Sequence, residues 1–539
     1  MLVGYVSDER YIAIFDAGVE FERDGERVAV ARSSPRGAIV AAIEPGRYRV
    51  TLVKPGFGSK SVEIEVDPAT PHQFRLLSDT LLGYVWPKWV RTGERSEFRV
   101  HAVEPYRLSL WRYGRERELT KLLGWFDEHG PRAVMQITPD GDYTQCGVGW
   151  NKQGYGNPHL TQFVTGPRRS GLYYLHAKTE SGRFFSFPWV VAPAAPSVPI
   201  AVLASTNTWN AYNNFGGRSN YVNATCLPPT PIVNARLDMT RYTAGGGYSE
   251  WGAPDDEYLP LSFERPEPGN HIPETVEATD PIEGRQSCHL APAEWRLLAW
   301  LEREHFGYDF YSEHQLHAGL LDLDAYRVLI LSTHPEYWSA AMYDRVKSWV
   351  WERGGRLMYL GGNGINCEVE FVDDATLRFK NYRGAGTGSV SFTDPDTGEL
   401  RESRFHRTHE SEANLLGVTT TEAGIMTSAP YRVLDASHWA FAGTGLRDGD
   451  SFGAESLHER CPGGASGHET DKISPSTPAH AVHLAKGLNP EEGGADIITY
   501  ETGSGGAVFA VGSITWPAAV LVDPAVSRIT ANVLSRFLT

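Results

Sequence analysis

Three polar segments of the sequence carry the side chains that could do chemistry. Residues 205–219 are dense in amides, hydroxyls and aromatic rings, residues 332–338 place His334 and Glu336 on a short turn, and residues 361–366 are rich in glycine. A carboxylate close to a histidine and to phenols is either an acid–base pair or half of a metal site. Glycine lets the backbone approach a ligand closely. The three segments therefore indicate a polar ligand site.

Several common catalytic arrangements are absent from the sequence. The turn at 332–338 contains neither a GxSxG nor a GxCxG nucleophile motif. An HEXXH motif and short histidine clusters are also missing, which disfavours the common zinc chemistry. A cysteine hydrolase acting through Cys367 or Cys461 is a weak alternative, because neither cysteine occupies such a turn. The turn at 332–338 offers Glu336 in that place instead.

Short apolar runs precede the three segments and predict the strands that position them. The run at 200–204 is continuously apolar, as in a strand buried on both faces of a parallel sheet, and similar runs occupy 328–331 and 356–360. Amphipathic helices are predicted at 292–305 and 340–353. Alternating strands and helices predict an α/β sheet with right-handed crossovers. Ligands of such sheets bind beyond the carboxyl ends of the strands, where the three polar segments lie.

The first part of the chain is rich in strands and carries no recognisable chemistry. Alternating runs separated by Pro-Gly turns predict a small β-sandwich over 1–77, similar to prealbumin-like accessory modules. A second set of strands predicts an immunoglobulin-like β-sandwich over 78–193. A Pro/Ala linker then leads into residues 194–539, the α/β domain in which the catalytic site is expected.

The composition restricts the class of protein. The chain has 539 residues, with 50 Lys+Arg against 66 Asp+Glu and a formal net charge of −16. An acidic chain without a Lys/Arg run is not expected to bind nucleic acid or an anionic membrane. The five cysteines are scattered and never in CxxC spacing, which fits a reducing compartment. No signal-peptide pattern and no apolar run of roughly 18 residues occurs, so a soluble, cytoplasmic protein is expected.

Five motifs, taken in order, resemble a known family. They are TWNAYNN at 208–214, HPEYW at 334–338, GGNG at 361–364, VGSITW at 511–516 and VSRITANVL at 526–534. Together they resemble the large (beta) subunit of N,N-dimethylformamidase. The resemblance covers roughly residues 80–539 and is strongest in the C-terminal domain.

The resemblance implies a class I glutamine-amidotransferase-like α/β domain that hydrolyses the C–N bond of a small amide. It also implies a mononuclear ferric iron held by two tyrosinates and one glutamate. By position, Tyr212 matches the first tyrosine and Glu336 matches the glutamate. His334 and Asn363 match residues that hold substrate and water, and Glu469 matches a further acidic residue of the site.

The second tyrosine is the point at which this sequence departs from the family pattern. It should lie shortly before Arg265, where Pro260 is the aligned residue and Tyr258 is the nearest tyrosine. Tyr258 is therefore the expected third metal ligand. Ferric iron favours oxygen donors and stabilises phenolates, and as a Lewis acid it lowers the pKa of bound water. His334 or Glu469 is then the expected general base.

Four further side chains are candidates for substrate binding. Arg218 follows two glycines and is expected either to clamp a carboxylate or oxyanion or to pair with an acidic neighbour. Three tryptophans are expected either as walls of the site or as platforms for substrate: Trp209, Trp338 and Trp516.

A metal-dependent amidohydrolase acting on a small linear amide is the first functional hypothesis. The alternative is a non-catalytic or carbohydrate-binding protein that keeps the amidotransferase-like scaffold, because a fold does not by itself imply a reaction. The expected partners are a small amide substrate, a separate small subunit and further copies of the chain in a homo-oligomer.

Overall fold

The computed structural model describes residues 1–126, 138–150, 162–233, 258–274, 288–381, 391–394 and 396–539. Most of the regular structure in these residues is β-sheet, divided among several separate sheets. The helices accompany the largest of these sheets and follow residue 205 of the chain.

The first seven strands form two sheets around a small apolar core. Their bounds are β1 Leu2–Ser7, β2 Gly18–Arg23, β3 Glu26–Arg32, β4 Ala38–Val40, β5 Gly46–Lys54, β6 Gly58–Val66 and β7 His72–Arg75. One sheet has the order β4-β1-β7 and the other the order β3-β2-β5-β6. Alternate side chains along the strands, such as Val50 and Leu52, are fully buried. This arrangement is consistent with a small β-sandwich.

The next eight strands form a second pair of sheets. Their bounds are β8 Leu82–Trp86, β9 Trp89–Arg91, β10 Arg95–His101, β11 Tyr106–Tyr113, β12 Arg117–Phe126, β13 Phe163–Thr165, β14 Gly171–Thr179 and β15 Phe184–Ala192. The sheet orders are β13-β10-β8 and β12-β11-β14-β15-β9. Trp189 is buried in their core, and its indole Nε1 donates to Ser96 Oγ at 2.9 Å. A second β-sandwich is consistent with these sheets, whereas the boundaries at 77 and 193 remain predictions.

The candidate site is built on a sheet of nine strands among the described residues. Their bounds are β16 Ile200–Ala204, β18 Asp309–Ser312, β19 Val328–Thr333, β21 Arg356–Gly361, β28 Tyr431–Val433, β29 Ser451–Phe452, β32 Val482–Gly487, β33 Asp496–Glu501 and β34 Ala507–Ala510. The order is β18-β16-β19-β21-β34-β33-β32-β28-β29. The first five strands are parallel and the others antiparallel. Of the parallel strands, the sequence analysis predicted β16, β19 and β21 but not β34, and it predicted none of the antiparallel ones. The amidotransferase-like character of the domain remains a prediction.

Smaller sheets surround this one. A four-stranded sheet of order β17-β23-β22-β20 contains β17 Leu261–Ser262, β20 Tyr337–Trp338, β22 Cys367–Asp373 and β23 Thr376–Phe379. Three two-stranded sheets pair β24 Phe392–Thr393 with β25 Leu400–Arg401, β26 Thr419–Thr420 with β31 Asp471–Lys472, and β27 Ser428–Ala429 with β30 Ser466–Gly467.

Helices cover both faces of the nine-stranded sheet. They are α1 Thr206–Ala211, α2 Ala291–Arg303, α3 Glu313–His317, α4 Ala340–Arg353, α5 Phe405–Thr408, α6 Ala413–Leu416, α7 Trp516–Ala519 and α8 Pro524–Leu538. Helices α2 and α8 pack with Val202 and Ile330, whereas α4 packs with Leu203 and Leu329, so alternate strand residues face opposite helices. Among the described residues, no helix is both long and apolar enough to cross a membrane.

The N-terminal module, residues 1–77, contacts the loop that follows α1. Tyr11 donates through its hydroxyl to the carbonyl of Pro228 at 2.7 Å. Arg75 is fully buried, and its Nη2 donates to the carbonyl of Gly216 at 3.0 Å. The amide of Gly216 in turn donates to the carbonyl of Glu9 at 2.7 Å. The module therefore supports the loop at 212–233 directly.

Candidate functional site

The parallel strands bring the three polar segments to one edge of the sheet. Helix α1 begins directly after β16 and ends at Tyr212, which is its C-cap residue. The turn with His334 and Glu336 follows β19, and Asn363 follows β21. Thr208 of α1 donates through Oγ1 to the carbonyl of His334 at 2.6 Å, which joins the first segment to the second.

His334, Glu336 and Glu469 form a buried cluster, which we call the carboxylate–histidine cluster. His334 Nε2 lies 3.2 Å from Glu336 Oε2 and 3.1 Å from Glu469 Oε2. Burial lowers the pKa of His334, but the two carboxylates outweigh burial and raise the pKa to about 10. Asn363 donates through Nδ2 to Glu469 Oε2 at 2.7 Å. The sequence placed all four of these residues in the site, and the structure brings them together.

Arg404 is a member of the site that sequence reasoning missed. Its Nη2 donates to Glu336 Oε1 at 2.9 Å, so Oε2 is the oxygen of Glu336 that faces His334. Burial raises the pKa of Glu336, but His334 and Arg404 outweigh this effect and hold the pKa below its ordinary value. Nothing in the sequence near Arg404 marks it, because only the fold brings it to β19.

Tyr221 is the second missed residue. Its hydroxyl donates to Glu336 Oε2 at 3.1 Å and lies 2.6 Å from the hydroxyl of Tyr337. Its ring centroid is 4.1 Å from that of Tyr212. Burial, Glu336 and Tyr212 raise the pKa of Tyr221 well above its ordinary value. The available signal was Asn220 and Tyr221 themselves, which extend the polar segment 205–219 by two residues.

A second group of candidate metal-binding side chains adjoins the first. Cys288, His289 and His468 each offer one ligand atom within 4.8 Å of the others. The ring of His289 lies 4.6 Å from that of Tyr212 and 5.4 Å from that of His334, between centroids. His289 therefore borders the site, although no motif in the sequence marked it.

Strained backbone surrounds the cluster. Thr333, Asn363, Ile365 and His468 have left-handed φ values of 58°, 52°, 53° and 66°. For the β-branched Thr333 and Ile365 such values are genuine outliers. Residues held in this region cost of order 1–3 kcal/mol each and concentrate at functional sites. Their clustering around His334 is therefore an independent indication that this edge of the sheet is functional.

Tyr258, the expected third metal ligand, is buried, and its role as a ligand stays a prediction. Tyr221, which the sequence analysis did not propose, is a tyrosine whose hydroxyl approaches Glu336. Tyr221 comes from the loop directly after α1, so its short connection to Tyr212 places the two rings side by side.

Arg218 is also placed differently from the substrate-clamping expectation. Its guanidinium is fully buried and donates to Asp142 Oδ2 at 2.9 Å and to the carbonyls of Ala224, Leu259 and Pro260. These partners occupy all three of its nitrogens. Arg218 therefore pairs with an acidic neighbour and organises the loop backbone, which is the other expectation for this residue.

The three tryptophans proposed for substrate binding lie in the core. Trp338 and Trp516 are fully buried, and Trp209 is 2% exposed. Trp338 donates through Nε1 to Glu313 Oε1 at 2.9 Å, and Trp516 donates through Nε1 to Thr530 Oγ1 at 3.2 Å. Their positions match the expectation of walls rather than that of exposed substrate platforms.

Sequence comparisons identify related proteins. The chain matches the family described as N,N-dimethylformamidase beta subunit-like, C-terminal, over residues 111–525. It is 27% identical over 420 residues to an N,N-dimethylformamidase beta subunit of Alcaligenes sp, an alignment that takes in 69% of this chain and 52% of that protein. The protein of the same name from Paracoccus aminophilus is 27% identical over 295 residues, which are 48% of this chain and 38% of that protein. The chain spans about half the length of the curated relatives it matches.

Among solved structures, the exo-beta-1,4-mannosidase Op5Man5 from Opitutaceae bacterium strain TAV5 aligns with a TM-score of 0.23 at 14% identity. That alignment takes in 48% of this chain and 32% of that protein, and its low score supports no inference. The family match, by contrast, includes all three strand-end segments and most of the chain. The chain therefore belongs to the N,N-dimethylformamidase beta subunit-like family.

Proposed function

We propose that the protein is a metal-dependent hydrolase that cleaves the C–N bond of a small amide. The observation that carries the proposal is the convergence of Tyr212, Tyr221 and Glu336 beside His334 and Glu469. N,N-dimethylformamide is the first substrate to test, because both curated relatives are named after it.

The donor atoms around Glu336 fit a hard metal ion such as ferric iron. Tyr212, Tyr221 and Glu336 would hold the ion, since phenolate and carboxylate oxygens are hard donors. His334 supplies the supporting observation, because its raised pKa of about 10 reflects two carboxylates at about 3 Å in a buried site. The hydroxyl of Tyr221 and the Oε2 oxygens of Glu336 and Glu469 thus gather hard oxygen donors around His334, which is the donor set that a hard cation prefers.

Arg404 prepares Glu336 for this role. Because Arg404 occupies Oε1, Glu336 would bind the ion through Oε2, the oxygen that Tyr221 also approaches. When bound, the ion would supply Lewis acidity to the amide oxygen or to a water molecule. The short bond between the hydroxyls of Tyr221 and Tyr337 orients the phenol of Tyr221 toward Glu336.

His334 and Glu469 would move the protons of the reaction. Hydrolysis requires a base that takes a proton from the attacking water and an acid that protonates the amine nitrogen as the C–N bond breaks. Glu469 takes the water proton, and His334 Nε2, 3.1 Å from Glu469, donates a proton to the departing nitrogen. The water oxygen forms the new bond to the carbonyl carbon, so the products are a carboxylic acid and an amine. Asn363 holds Glu469 in place for this exchange.

The scaffold and the protein partner are part of the same proposal. The site lies at the carboxyl ends of β16, β19 and β21, the position that supports an amidotransferase-like α/β domain. The curated relatives are named as beta subunits, so a separate small subunit is the proposed partner.

The test combines a hydrolysis assay with metal analysis, on the chain alone and after coexpression with a candidate small subunit. We expect amine release from N,N-dimethylformamide to follow the iron content and to be lost in Glu336→Gln. Glu370→Gln is the matched control, because Glu370 is exposed on β22 and pairs with Arg378. An iron-free protein that hydrolyses amides would contradict the metal assignment, and full activity in Glu336→Gln would contradict the site. A protein that binds a sugar and hydrolyses no amide would support the non-catalytic alternative.

A further inference from the structure

Two buried carboxylates lie behind the candidate site without belonging to the carboxylate–histidine cluster. Glu294, in the first turn of α2, is 1% exposed, and Glu313, the first residue of α3, is fully buried. Among the described residues, neither has a lysine, arginine or histidine within salt-bridge distance. Burying a carboxylate without a cationic partner costs free energy that only hydrogen bonds can offset, so the hydrogen-bond partners of these two residues are informative.

Glu294 joins the end of β16 to the end of β19. Its Oε1 accepts from the backbone N–H of Ser205, the N-cap residue of α1, at 3.0 Å. Its Oε2 accepts from Oγ1 of Thr333 at 3.4 Å. Thr333 is the strained residue immediately before His334. The carboxylate of Glu294 therefore holds both the start of α1 and Thr333, the residue with a left-handed φ that precedes the turn.

Glu313 makes a second link of the same kind. Its Oε2 accepts from the backbone N–H of Asn207 in α1 at 2.7 Å, and its Oε1 accepts from Nε1 of Trp338 at 2.9 Å. The first N–H groups of a helix have no partner within the helix, and negative charge near them is favourable. The two glutamates thus bind the start of α1 from one side and the segment 333–338 from the other.

We propose that Glu294 and Glu313 are positioning residues that hold α1 against the segment 333–338 and so set the placement of Tyr212 relative to Glu336. The catalytic part of this inference rests on the proposed function. Tyr212 caps the far end of α1, which has only six residues, so a shift at Ser205 or Asn207 is transmitted to it. Neither glutamate needs to touch substrate or metal for this role.

The role depends on the acceptor oxygens of the two glutamates. Glu294 accepts from Ser205 and Thr333, and Glu313 accepts from Asn207 and Trp338. A glutamine at position 313 keeps one oxygen but turns an NH₂ group toward the N–H of Asn207 or of Trp338, so one link is lost. At position 294 the hydroxyl of Thr333 can also accept from an NH₂ group, so leucine, which has no polar side-chain atom, is the substitution that removes both links. Misplacing a catalytic group by about 1 Å costs on the order of 100-fold in rate. Loss of a residue that supports a metal ligand costs about 10- to 100-fold in affinity or activity.

The test uses Glu294→Leu and Glu313→Gln in the full chain, with Glu412→Gln as the matched control. Glu412 is also a fully buried glutamate, and it accepts from the hydroxyls of Ser403 and Thr419 rather than from α1 or the turn. We expect both test variants to lower kcat about 10- to 100-fold with little change in KM and to shift the tyrosinate–iron absorption band. Glu412→Gln should retain the band and kcat, whatever its melting temperature.

Hydrogen–deuterium exchange separates this inference from the proposed function. In the metal-free protein we expect faster exchange at 205–211 and 332–338 in the two test variants, and wild-type exchange there in Glu412→Gln. Wild-type protein without iron and without amidase activity would refute the proposed function, while the exchange result would still decide on the positioning role. Unchanged exchange in the test variants, or equal loosening in the control, would overturn the positioning role. Faster exchange with unchanged kcat and unchanged iron content would overturn its link to catalysis.

Discussion

Replacing Tyr221 by phenylalanine distinguishes two assignments of the second phenolate. The sequence analysis proposed Tyr258, the tyrosine nearest to the family position, whereas the structure places the hydroxyl of Tyr221 at 3.1 Å from Glu336 Oε2 and its ring against Tyr212. The phenylalanine keeps the buried ring and removes only the oxygen. Tyr258→Phe makes the same change at the buried tyrosine that the sequence analysis proposed as a ligand.

The magnitude follows from what the hydroxyl of Tyr221 contacts. It takes part in two buried hydrogen bonds, to Glu336 and to Tyr337, so its removal should lower the free energy of unfolding of the metal-free protein by about 1–3 kcal/mol. Substituting a residue that only supports a metal ligand already lowers metal affinity about 10- to 100-fold. Loss of a ligand should therefore cost about 100-fold or more, which corresponds to about 3 kcal/mol.

The assay measures bound iron, the tyrosinate–iron absorption band and the dissociation constant for added iron in the two variants and the wild type. We expect Tyr221→Phe to lose the iron and the band while remaining folded, and Tyr258→Phe to keep both. Iron and band retained in Tyr221→Phe but lost in Tyr258→Phe would refute the reasoning, because Tyr258, the tyrosine nearest to the family position, would then be the ligand. Circular dichroism of both metal-free variants checks that neither result comes from unfolding.

Two further predictions concern the support of the site. Burial raises the pKa of Glu294 from 4.5 to about 7, so its contribution to stability is complete below pH 4.5 and is lost as the pH rises to 7, a change of about 3 kcal/mol. Chemical denaturation should show a flatter profile over this range in Glu294→Gln, and an unchanged slope would contradict the assignment. At Gly362 a Cβ would lie 2.5 Å from the carbonyl oxygen of Glu469 and 2.7 Å from the amide of Ile514, so Gly362→Ala should cost about 1–3 kcal/mol and most of the activity. Gly503→Ala, with no atom within 4 Å of the added Cβ, should behave as wild type in both measurements.

The parallel strands and their loops could be predicted because local signals specify them. The apolar run at 200–204 became β16 Ile200–Ala204, and the helix predicted at 340–353 became α4 Ala340–Arg353. Ser339 caps that helix by accepting from the amide of Met342, and Gly354 ends it with a left-handed φ of 76°. Strand-end geometry then placed His334, Glu336 and Asn363 at one edge without knowledge of their partners.

The rest of the site depends on contacts between distant parts of the chain. Arg404 reaches Glu336 across 68 residues, and Tyr221 reaches it across 115. Arg404 has no spacing or neighbour that distinguishes it from a residue of an ordinary loop, and Tyr221 is marked only by its closeness to the polar segment 205–219. The role of the buried tryptophans could not be predicted either, because composition does not show whether a tryptophan lies in the core or contacts a substrate. The sequence analysis also missed the antiparallel strands of the large sheet, although β32 and β33 have six residues each, as many as β19 and β21.

The contacts of the N-terminal module with the loop at 212–233 have a consequence for how this protein can change over time. Tyr11, Arg75 and Glu9 hold the backbone of the loop that carries Tyr221. A descendant that exchanged residues 1–77 for an unrelated sandwich would leave the carbonyls of Gly216 and Pro228 without these donors. The module and the loop are therefore expected to be inherited as a pair, although only one of them carries a candidate ligand.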